Sequence, residues 1–351
     1  MKTYTRPLDF KHGRVDMTHG SGGRAMAQLI DELFVKHFVK HCSNDMLAEQ
    51  GDGACFALPA GAGRMVMATD SHVVSPLFFP GGDIGCLSVH GTINDVAMMG
   101  AKPLYLSASF ILEEGFPLAD LQRIVISMAN AAREAGVVII TGDTKVVEEG
   151  KGDGVFITTT GIGVMPEGIA LRASNIKVGD KILVSGMLGD HGVAIMSQRE
   201  NLTFETTIQS DTAALHGLVA AILDAVPNLH VLRDPTRGGL ATVLNEFAKA
   251  SGHGMVIQEK SIPVRAEVAA ACELLGLDPL YVANEGKLVA FCASDDAEAL
   301  LAAMQAHPLG RDAAIIGEVI ADEHAFVQMN TAFGGRRMVD WLNGEQLPRI
   351  C

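Results

Sequence analysis

Four aspartates are predicted to lie at turns or strand ends, where their carboxylates could gather into one site. They are Asp52 in Gly-Asp-Gly, Asp70 in Thr-Asp-Ser, Asp95 in Asn-Asp-Val and Asp234 in Arg-Asp-Pro. Carboxylates that meet repel one another unless a cation lies among them, and Mg²⁺ takes oxygen ligands while keeping waters and substrate phosphates. Together they predict a site for a magnesium-bound nucleotide, whereas each aspartate alone is more typical of a turn.

Three glycine-rich segments could present backbone N–H groups to phosphate. They are His19, Gly20, Ser21, Gly22 and Gly23 before a predicted helix, Gly142, Asp143 and Thr144 after a predicted strand, and Gly238 with Gly239 at the start of another predicted helix. None matches the phosphate-binding loop or the dinucleotide-binding pattern, and each alone is typical of a turn. Several such segments and several aspartates in one acidic chain favour nucleotide binding.

Three further side chains could take part in chemistry directly. A lysine at a strand end, such as Lys145, can hold phosphate or shift its pKa, and a buried glutamate, such as Glu285, can act as a base near neutrality. Both are equally compatible with ordinary solvated side chains. Cys351 is the last residue and follows Leu-Pro-Arg-Ile. Because a thiolate is a strong nucleophile, Cys351 is a candidate carrier of a covalent intermediate.

The composition excludes several classes of protein. The 351 residues include 27 Lys and Arg against 41 Asp and Glu, a net charge of −14, which disfavours a nucleic-acid partner. Apolar runs such as 137–140 are far shorter than the roughly 20 residues of a membrane-spanning helix, and the N-terminus lacks an apolar signal core. The six cysteines are dispersed and without metal-ligand spacing, which is typical of reduced thiols. We expect a soluble cytoplasmic protein without a membrane partner.

Apolar periodicity predicts strands and helices that alternate in both halves of the chain. Strands are predicted over 64–69, 104–112, 137–141, 155–164, 181–185, 288–292 and 313–320. Helices are predicted over 24–38, from 117 to a stop at 136, and over 236–250, 266–275 and 295–307. The alternation predicts an α/β or α+β fold.

The length exceeds what one hydrophobic core usually serves, so we predict two domains. The polar stretch 166–180 separates them, which gives an N-terminal arm over 1–17, one domain over 18–165, a C-terminal α/β domain over 166–341 and a mobile tail over 342–351. The tail lacks apolar periodicity. Measured from Met338, it could reach roughly 40 Å when extended.

From about Thr18 to its end, the chain resembles the HypE family of hydrogenase maturation proteins. That family belongs to the superfamily of ATP-dependent aminoimidazole ribonucleotide synthetase, selenophosphate synthetase and thiamine-monophosphate kinase. The resemblance rests on the segments 19–23, 69–71, 76–82, 91–97, 142–147, 188–192, 233–239 and 284–288, and on the terminal Pro-Arg-Ile-Cys. The terminal motif is the most specific, since the sister enzymes lack it.

The resemblance implies an N-terminal domain whose strands pair with those of a second subunit into a barrel, so that the protein is a homodimer. ATP would lie between this domain and the C-terminal α/β domain, bound by the glycine segments and Asn94. The four aspartates would be the Mg²⁺ ligands. At Gly51-Asp52-Gly53 the chain departs from the Gly-Asp-Asp that superfamily members often have.

The implied chemistry is the dehydration of a carbamoyl group that a carbamoyltransferase, HypF, places on Cys351. ATP would phosphorylate the amide oxygen, and loss of phosphate and protons would leave a thiocyanate, with Glu285 as base and Lys145 assisting. The cyanide would pass to the iron of a HypC-HypD scaffold complex for [NiFe]-hydrogenase. The tail is therefore predicted to be mobile without nucleotide and to dock inward with ATP.

Two alternatives remain open at this point. One is a selenophosphate synthetase-like or other small-molecule ATP enzyme of the same superfamily, in which Cys351 has no role. The other is a non-catalytic nucleotide-binding scaffold whose terminal cysteine binds metal.

Overall fold

The N-terminal half of the chain is built on a four-stranded sheet. The structure, a computed structural model, describes residues 7–20, 24–38, 63–200, 208–342 and 349–350. The strands of this half are β1 (Arg64–His72), β2 (Phe78–Phe79), β3 (Gly82–Asp83), β4 (Lys102–Glu113), β5 (Val138–Val147) and β6 (Val155–Met165). The sheet has the order β1-β6-β4-β5, and only its β4-β5 pair is parallel. Strands β2 and β3 pair with each other.

Helices cover one face of this sheet. They are α1 (Arg24–Leu29), which continues through a π-helical segment (Ile30–Val35) into α2 (Lys36–Phe38), then α3 (Ile84–Met98) and α4 (Leu118–Glu134). Alternate residues of β4 and β6 are buried beneath the helices. Helix α3 was not predicted, because it is buried on nearly all sides and its apolar residues therefore show no helical periodicity.

A seven-stranded sheet organises the C-terminal half. Its strands are β7 (Lys181–Val184), β8 (Val231–Arg233), β9 (Gly254–Gln258), β10 (Val289–Cys292), β11 (Ala314–Ile320), β12 (Val327–Asn330) and β13 (Arg336–Met338), in the order β13-β12-β9-β11-β7-β10-β8. The helices are α5 (Asp190–Arg199), α6 (His216–Ala225), α7 (Gly239–Ser251), α8 (Ala266–Leu275) and α9 (Ala297–Ala306). Helix α7 packs on β9 and β12, whereas α9 packs on β7 and β11 and contacts α6.

Three local predictions are wrong. Gly142–Thr144 is not a loop after a strand but part of β5, where a Cβ on Gly142 would collide with the Ala108 carbonyl of β4. Asp95 lies on helix α3 rather than at a turn, and Asp70 lies within β1, paired with Thr159, rather than at the strand end. In each case, strand pairing or helix packing with residues distant in sequence forms a strand or helix where the local sequence pattern does not predict one.

The end of the chain contacts both halves of the protein. Arg349 lies against Ser75, and Ile350 is buried in the hydrophobic cluster of the N-terminal half, together with Ile195 and Ala283. The predicted movement of the tail stays a prediction. In the described part of the chain, no helix combines the length and apolar character needed to cross a bilayer.

Candidate active site

Asp70 lies on β1 and Asp95 on α3, two elements that pack against each other. This contact is close because α3 carries glycine at position 91, where a Cβ would lie 2.8 Å from His72 Nε2 and 3.6 Å from Asp70 Oδ2. Asp95 follows Gly91 by four residues and so lies on the same side of the helix. His72 is buried, and its Nε2 lies 3.3 Å from Asp70 Oδ2. The packing of helix on strand therefore positions both carboxylates.

Asp234 joins them from the C-terminal half. It follows β8 directly and is buried. Burial, and then the charges of Asp234 and Asp70, raise the pKa of Asp95 to about 7. Burial also raises the pKa of Asp234 to about 6, with Asp70 adding to the rise. Three of the four predicted aspartates thus interact electrostatically, while Asp52 lies outside the described residues.

Glu285 completes the acidic group. Its side chain is buried, and its Oε1 has no hydrogen-bond partner in the described part of the chain. Burial raises its pKa well above the usual value, and the charges of Asp234, Asp211, Asp70 and Asp95 add to this. A carboxyl with a raised pKa is a competent proton acceptor near neutrality once it is ionised.

Charged residues that were not predicted to belong to the site lie beside Glu285. Asp211 Oδ1 accepts the backbone N–H of Glu285 at 3.0 Å, and Asp211 Oδ2 lies 3.1 Å from Lys287 Nζ. Asp190 does not contact Glu285 directly in the described part of the chain, but the charges of Asp211 and Lys287 act on it, and it pairs with Arg265 through Oδ2 at 3.1 Å. The only sequence signals for these residues are acidic or basic positions within or next to short motifs, such as Lys287 after Asn-Glu-Gly.

The donor set suits a hard cation. Across residues 7–20, 24–38, 63–200, 208–342 and 349–350, no three His, Cys, Asp or Glu side chains form a complete metal cluster. Mg²⁺ does not require one, because it binds through one or two carboxylates and keeps waters and phosphate oxygens. Burial and neighbouring carboxylates raise the pKa values of Asp95 and Asp234, and such a cation would stabilise their charged forms.

The first predicted glycine segment lies beside β5, the strand that contains the second. The 3₁₀ helix Met17–Gly20, which carries His19 and Gly20, packs against β5. A cavity of about 180 Å³ is lined by apolar side chains of the N-terminal helices and of β4 and β5, and by Gly142, Asp143 and Thr144. Ser21, Gly22 and Gly23 lie outside the described residues.

The third glycine segment begins α7. Gly238 and Gly239 have φ values of +78° and +59°, and a Cβ on Gly239 would approach the Leu280 carbonyl to 2.6 Å, so both positions favour glycine. An open cleft of about 430 Å³ beside them is lined by Arg233, Asp234 and Arg237. The start of a helix and two arginines favour an anion there.

Asn94 bridges the two halves of the protein. Its Nδ2 donates to the carbonyls of Ala213 at 3.0 Å and Glu285 at 3.1 Å, and its Oδ1 accepts the N–H of Leu215 at 2.7 Å. These contacts fix the backbone of Glu285. A direct contact of Asn94 with a cofactor stays a prediction.

Lys145 lies on β5 and pairs with a carboxylate of the same strand. It is exposed on β5, and its Nζ lies 2.7 Å from Asp143 Oδ2. Its partner in register on β4 is the exposed Ile111, so both side chains lie on the sheet face that the helices leave open. No hydrogen bond or ion pair within the described ranges joins Lys145 to Glu285.

The described cysteines are poor nucleophiles. Burial raises the pKa of Cys86 and Cys272 to about 11 and that of Cys292 to about 12. A thiol must lose its proton to attack, so these three are unreactive at neutral pH. Cys351 lies outside the described residues, directly after the buried Ile350.

Known proteins resemble this chain over its whole length. The family described as AIR synthase related protein matches with its N-terminal domain over residues 50–165 and with its C-terminal domain over residues 177–330. The curated "Carbamoyl dehydratase HypE" of Cupriavidus necator is 71% identical over 348 residues, which cover 99% of this chain and 98% of the relative.

Two solved structures have the same fold. The crystal structure of hydrogenase maturation protein HypE in complex with ATP has a TM-score of 0.90 and 49% identity, covering 96% of this chain and 99% of that one. HypE in the HypE-HypF complex has a TM-score of 0.78 and 50% identity, covering 90% and 99%. The predicted two-domain α/β fold is confirmed, and the chain belongs to the carbamoyl dehydratase HypE family of hydrogenase maturation proteins.

Proposed function

We propose that this protein dehydrates a carbamoyl group on its own Cys351 to a thiocyanate, at the expense of ATP. The observation that carries the proposal is the position of the tail. The Ile350 carbonyl is hydrogen-bonded to His191, and His191 is hydrogen-bonded to Ser210. The next residue, Asp211, accepts a hydrogen bond from the backbone N–H of Glu285. The terminal thiol would therefore be delivered next to a buried carboxylate.

The reaction balances with ATP as the phosphoryl donor and with the S-carbamoyl group as the substrate. An amide oxygen leaves only after phosphorylation, so ATP transfers its terminal phosphoryl group to the oxygen of the S-carbamoyl group. The nitrogen then loses two protons and the C–O bond breaks, which gives S–C≡N, ADP and inorganic phosphate. Glu285 accepts one of these protons, and the other leaves on the inorganic phosphate.

We propose that Asp70, Asp95 and Asp234, together with Asp52, hold Mg²⁺ bound to ATP. The cation would offset the charge that develops on the phosphoryl group during transfer. The glycine segments at 19–23, 142–144 and 238–239 would bind the nucleotide. In support, the 3₁₀ turn with His19 packs on β5, and arginines line the cleft beside Asp234.

Mass spectrometry of the C-terminal peptide tests the function directly. The purified protein is treated first with its HypF-type carbamoyltransferase and carbamoyl donor, and then with Mg²⁺-ATP. We expect one carbamoyl adduct on the peptide 346–351 released by a glutamyl endopeptidase, followed by loss of one water. An adduct on another cysteine, or no loss of water, would contradict the proposal.

Neutralising Asp95 should stabilise the protein in the absence of Mg²⁺. Its pKa is raised on folding from 3.8 to about 7, so its stabilising contribution is complete below about pH 4 and is lost as the pH rises through 7. At about pH 8, Asp95→Asn should raise the free energy of unfolding by about 2–4 kcal/mol. Mg²⁺ should raise the melting temperature of the wild type more than that of the variant.

The control for this measurement is Asp224→Asn, which changes an exposed aspartate on α6. It should leave both the pH dependence and the Mg²⁺ effect unchanged. Equal melting curves for Asp95→Asn and wild type from about pH 4 to pH 8 would count against the electrostatic description of the site.

We propose that the protein is a homodimer joined through the open face of its N-terminal sheet. Met65 and Met67 of β1 are 52% and 73% exposed there, and Ile111 of β4 is 43% exposed. Large apolar side chains grouped on one exposed face are typical of a surface that binds another protein chain. Lys145 would then face the partner subunit, and it would assist the dehydration there.

The dimer can be tested by placing a charge on this face. Met67→Glu should raise the dimer dissociation constant by roughly 10²-fold in sedimentation velocity, because the carboxylate would be buried without a partner. The matched control is Leu274→Glu on α8, where the leucine is 67% exposed outside the sheet. Equal dissociation constants for both variants would place the interface elsewhere.

We further propose that the protein acts in the cytoplasm, where thiols stay reduced, and that a HypC-HypD scaffold complex receives the cyanide. The solved complex of HypE with HypF, whose HypE chain is 50% identical to this one, supports a HypF-type enzyme as the carbamoyl donor. The movement of the tail from HypF to the active site and on to the scaffold would connect the three steps.

A further inference from the structure

The tail is held by its main chain as well as by its side chains. The Arg349 carbonyl accepts the N–H of Ser75 at 3.1 Å and Nη2 of Arg199 at 2.9 Å. Arg199 also donates to the Ser75 carbonyl, through Nε at 3.0 Å and Nη2 at 2.6 Å. The Arg349 side chain pairs with Asp153. Arg199 therefore links the tail to the backbone of Ser75, because it donates to a carbonyl of each.

The next carbonyl along the tail is bonded to a buried ring. His191 Nε2 lies 2.7 Å from the Ile350 carbonyl, and His191 Nδ1 lies 2.7 Å from Ser210 Oγ. A carbonyl only accepts, so Nε2 carries the hydrogen. Burial lowers the pKa of His191, which keeps the ring neutral, and Nδ1 therefore accepts the hydrogen of Ser210. Ser210 Oγ in turn accepts the N–H of Thr212 at 3.1 Å.

The same short segment fixes Glu285. Asp211, between Ser210 and Thr212, accepts the Glu285 N–H at 3.0 Å. The Ser210 N–H is itself bonded to the Pro80 carbonyl at 2.8 Å. The residues that contact His191 and Glu285 are thus adjacent in the segment 210–212. How far the tail enters and where the Glu285 backbone lies therefore depend on the same segment. Cys351 follows Ile350 by one Cα step of about 3.8 Å.

We propose that His191 and Arg199 are positioning residues that fix how far the tail enters, and thereby where the Cys351 sulfur stands relative to Glu285. This rests on the proposed role of Cys351 as carrier. The two residues recognise main-chain carbonyls, so they hold the tail whether or not the terminal sulfur carries a group.

Trypsin reports the docking of the tail directly, because the Arg349–Ile350 bond is a trypsin site whose carbonyl is the one held by Ser75 and Arg199. Cleavage removes Ile350 and Cys351, which intact mass spectrometry resolves. We expect His191→Phe to be cleaved about tenfold faster than wild type, since an unpaired buried carbonyl favours the undocked tail. Arg199→Gln should behave alike.

Two further variants control this assay. His191→Gln keeps a donor near the Nε2 position and should be cleaved within about threefold of the wild-type rate. Arg337→Gln removes an arginine of comparable exposure that pairs with Asp278 instead, and should be cleaved like wild type. If His191→Phe fails to fold, as shown by its melting curve, Arg199→Gln decides the outcome.

Activity separates positioning from general damage. Carbamoyl transfer to Cys351 should be at least as fast as in wild type in His191→Phe and Arg199→Gln, because it uses the undocked tail, while ATP-dependent loss of water should be about tenfold slower. Equal slowing of both steps, or wild-type trypsin cleavage in both variants, would overturn the proposal. If the wild type itself never loses water, the proposed function fails, whereas the trypsin assay still tests the positioning of the tail.

Discussion

The Cys351→Ser variant is expected to lose the overall reaction completely. Serine keeps the size of the side chain, but its hydroxyl stays protonated at neutral pH and is a far weaker nucleophile than a thiolate. No carbamoyl group should then be found on the peptide 346–351 after treatment with the carbamoyltransferase. ATP consumption that depends on carbamoylation should fall to the background, while the melting temperature should change little.

The matched control is Cys86→Ser, on helix α3. Cys86 Sγ lies 3.3 Å from the Asp83 carbonyl, a contact that a serine hydroxyl can replace, and its raised pKa makes it unreactive. This variant should retain carbamoylation and dehydration. Full activity of Cys351→Ser would show that the terminal cysteine is not the carrier, and would favour a small-molecule ATP enzyme instead.

The second large effect is expected for Glu285→Gln. The amide keeps the shape and the buried position but takes no proton from the S-carbamoyl nitrogen, so dehydration should slow by about 10²–10⁴-fold. Carbamoylation of Cys351 should be unaffected, and the carbamoyl adduct should accumulate when ATP is added. Rapid-quench mass spectrometry of the tail peptide measures both steps.

A carboxylate outside the site serves as the control for Glu285. Glu318 lies on β11 in an exposed pair with Lys181, 2.7 Å apart, and Glu318→Gln should dehydrate at the wild-type rate. If Glu285→Gln still loses water at a tenth of the wild-type rate or faster, another group is the base. Because burial and neighbouring charges raise its pKa, wild-type activity should increase as the pH rises through the titration of Glu285.

Sequence periodicity predicted the amphipathic elements of the fold well. Helix α8 has the predicted bounds, and β6 differs from its prediction by one residue. These elements have one buried and one exposed face, so their pattern is local. Helix α3 has no such pattern, because β1, β6 and α4 surround it, and α7 begins three residues late because Gly238 and Gly239 adopt left-handed backbone conformations. Such features depend on contacts between distant residues.

The site was predictable in its residue types but not in its assembly. Asp70, Asp95, Asp234 and Glu285 were identified from carboxylates in short motifs, and the charges of the three aspartates add to the rise in the pKa of Glu285. The role of His191 was not predicted, since a histidine in Leu-Gly-Asp-His-Gly gives no sign that it will meet a carbonyl 159 residues away. Only the folded chain brings the tail to that ring.

The burial of Ile350 gives the proposed catalytic cycle an energetic requirement. This side chain is only 2% exposed and belongs to the same apolar cluster as Phe110 and Ile195, so the substrate-bearing end is also part of the hydrophobic core. Sending the tail to another protein exposes that isoleucine, at a cost of roughly 2 kcal/mol. Each transfer to another protein therefore requires local unfolding of the tail. A receiving protein with an apolar pocket for this isoleucine would offset that cost and so favour the undocked tail.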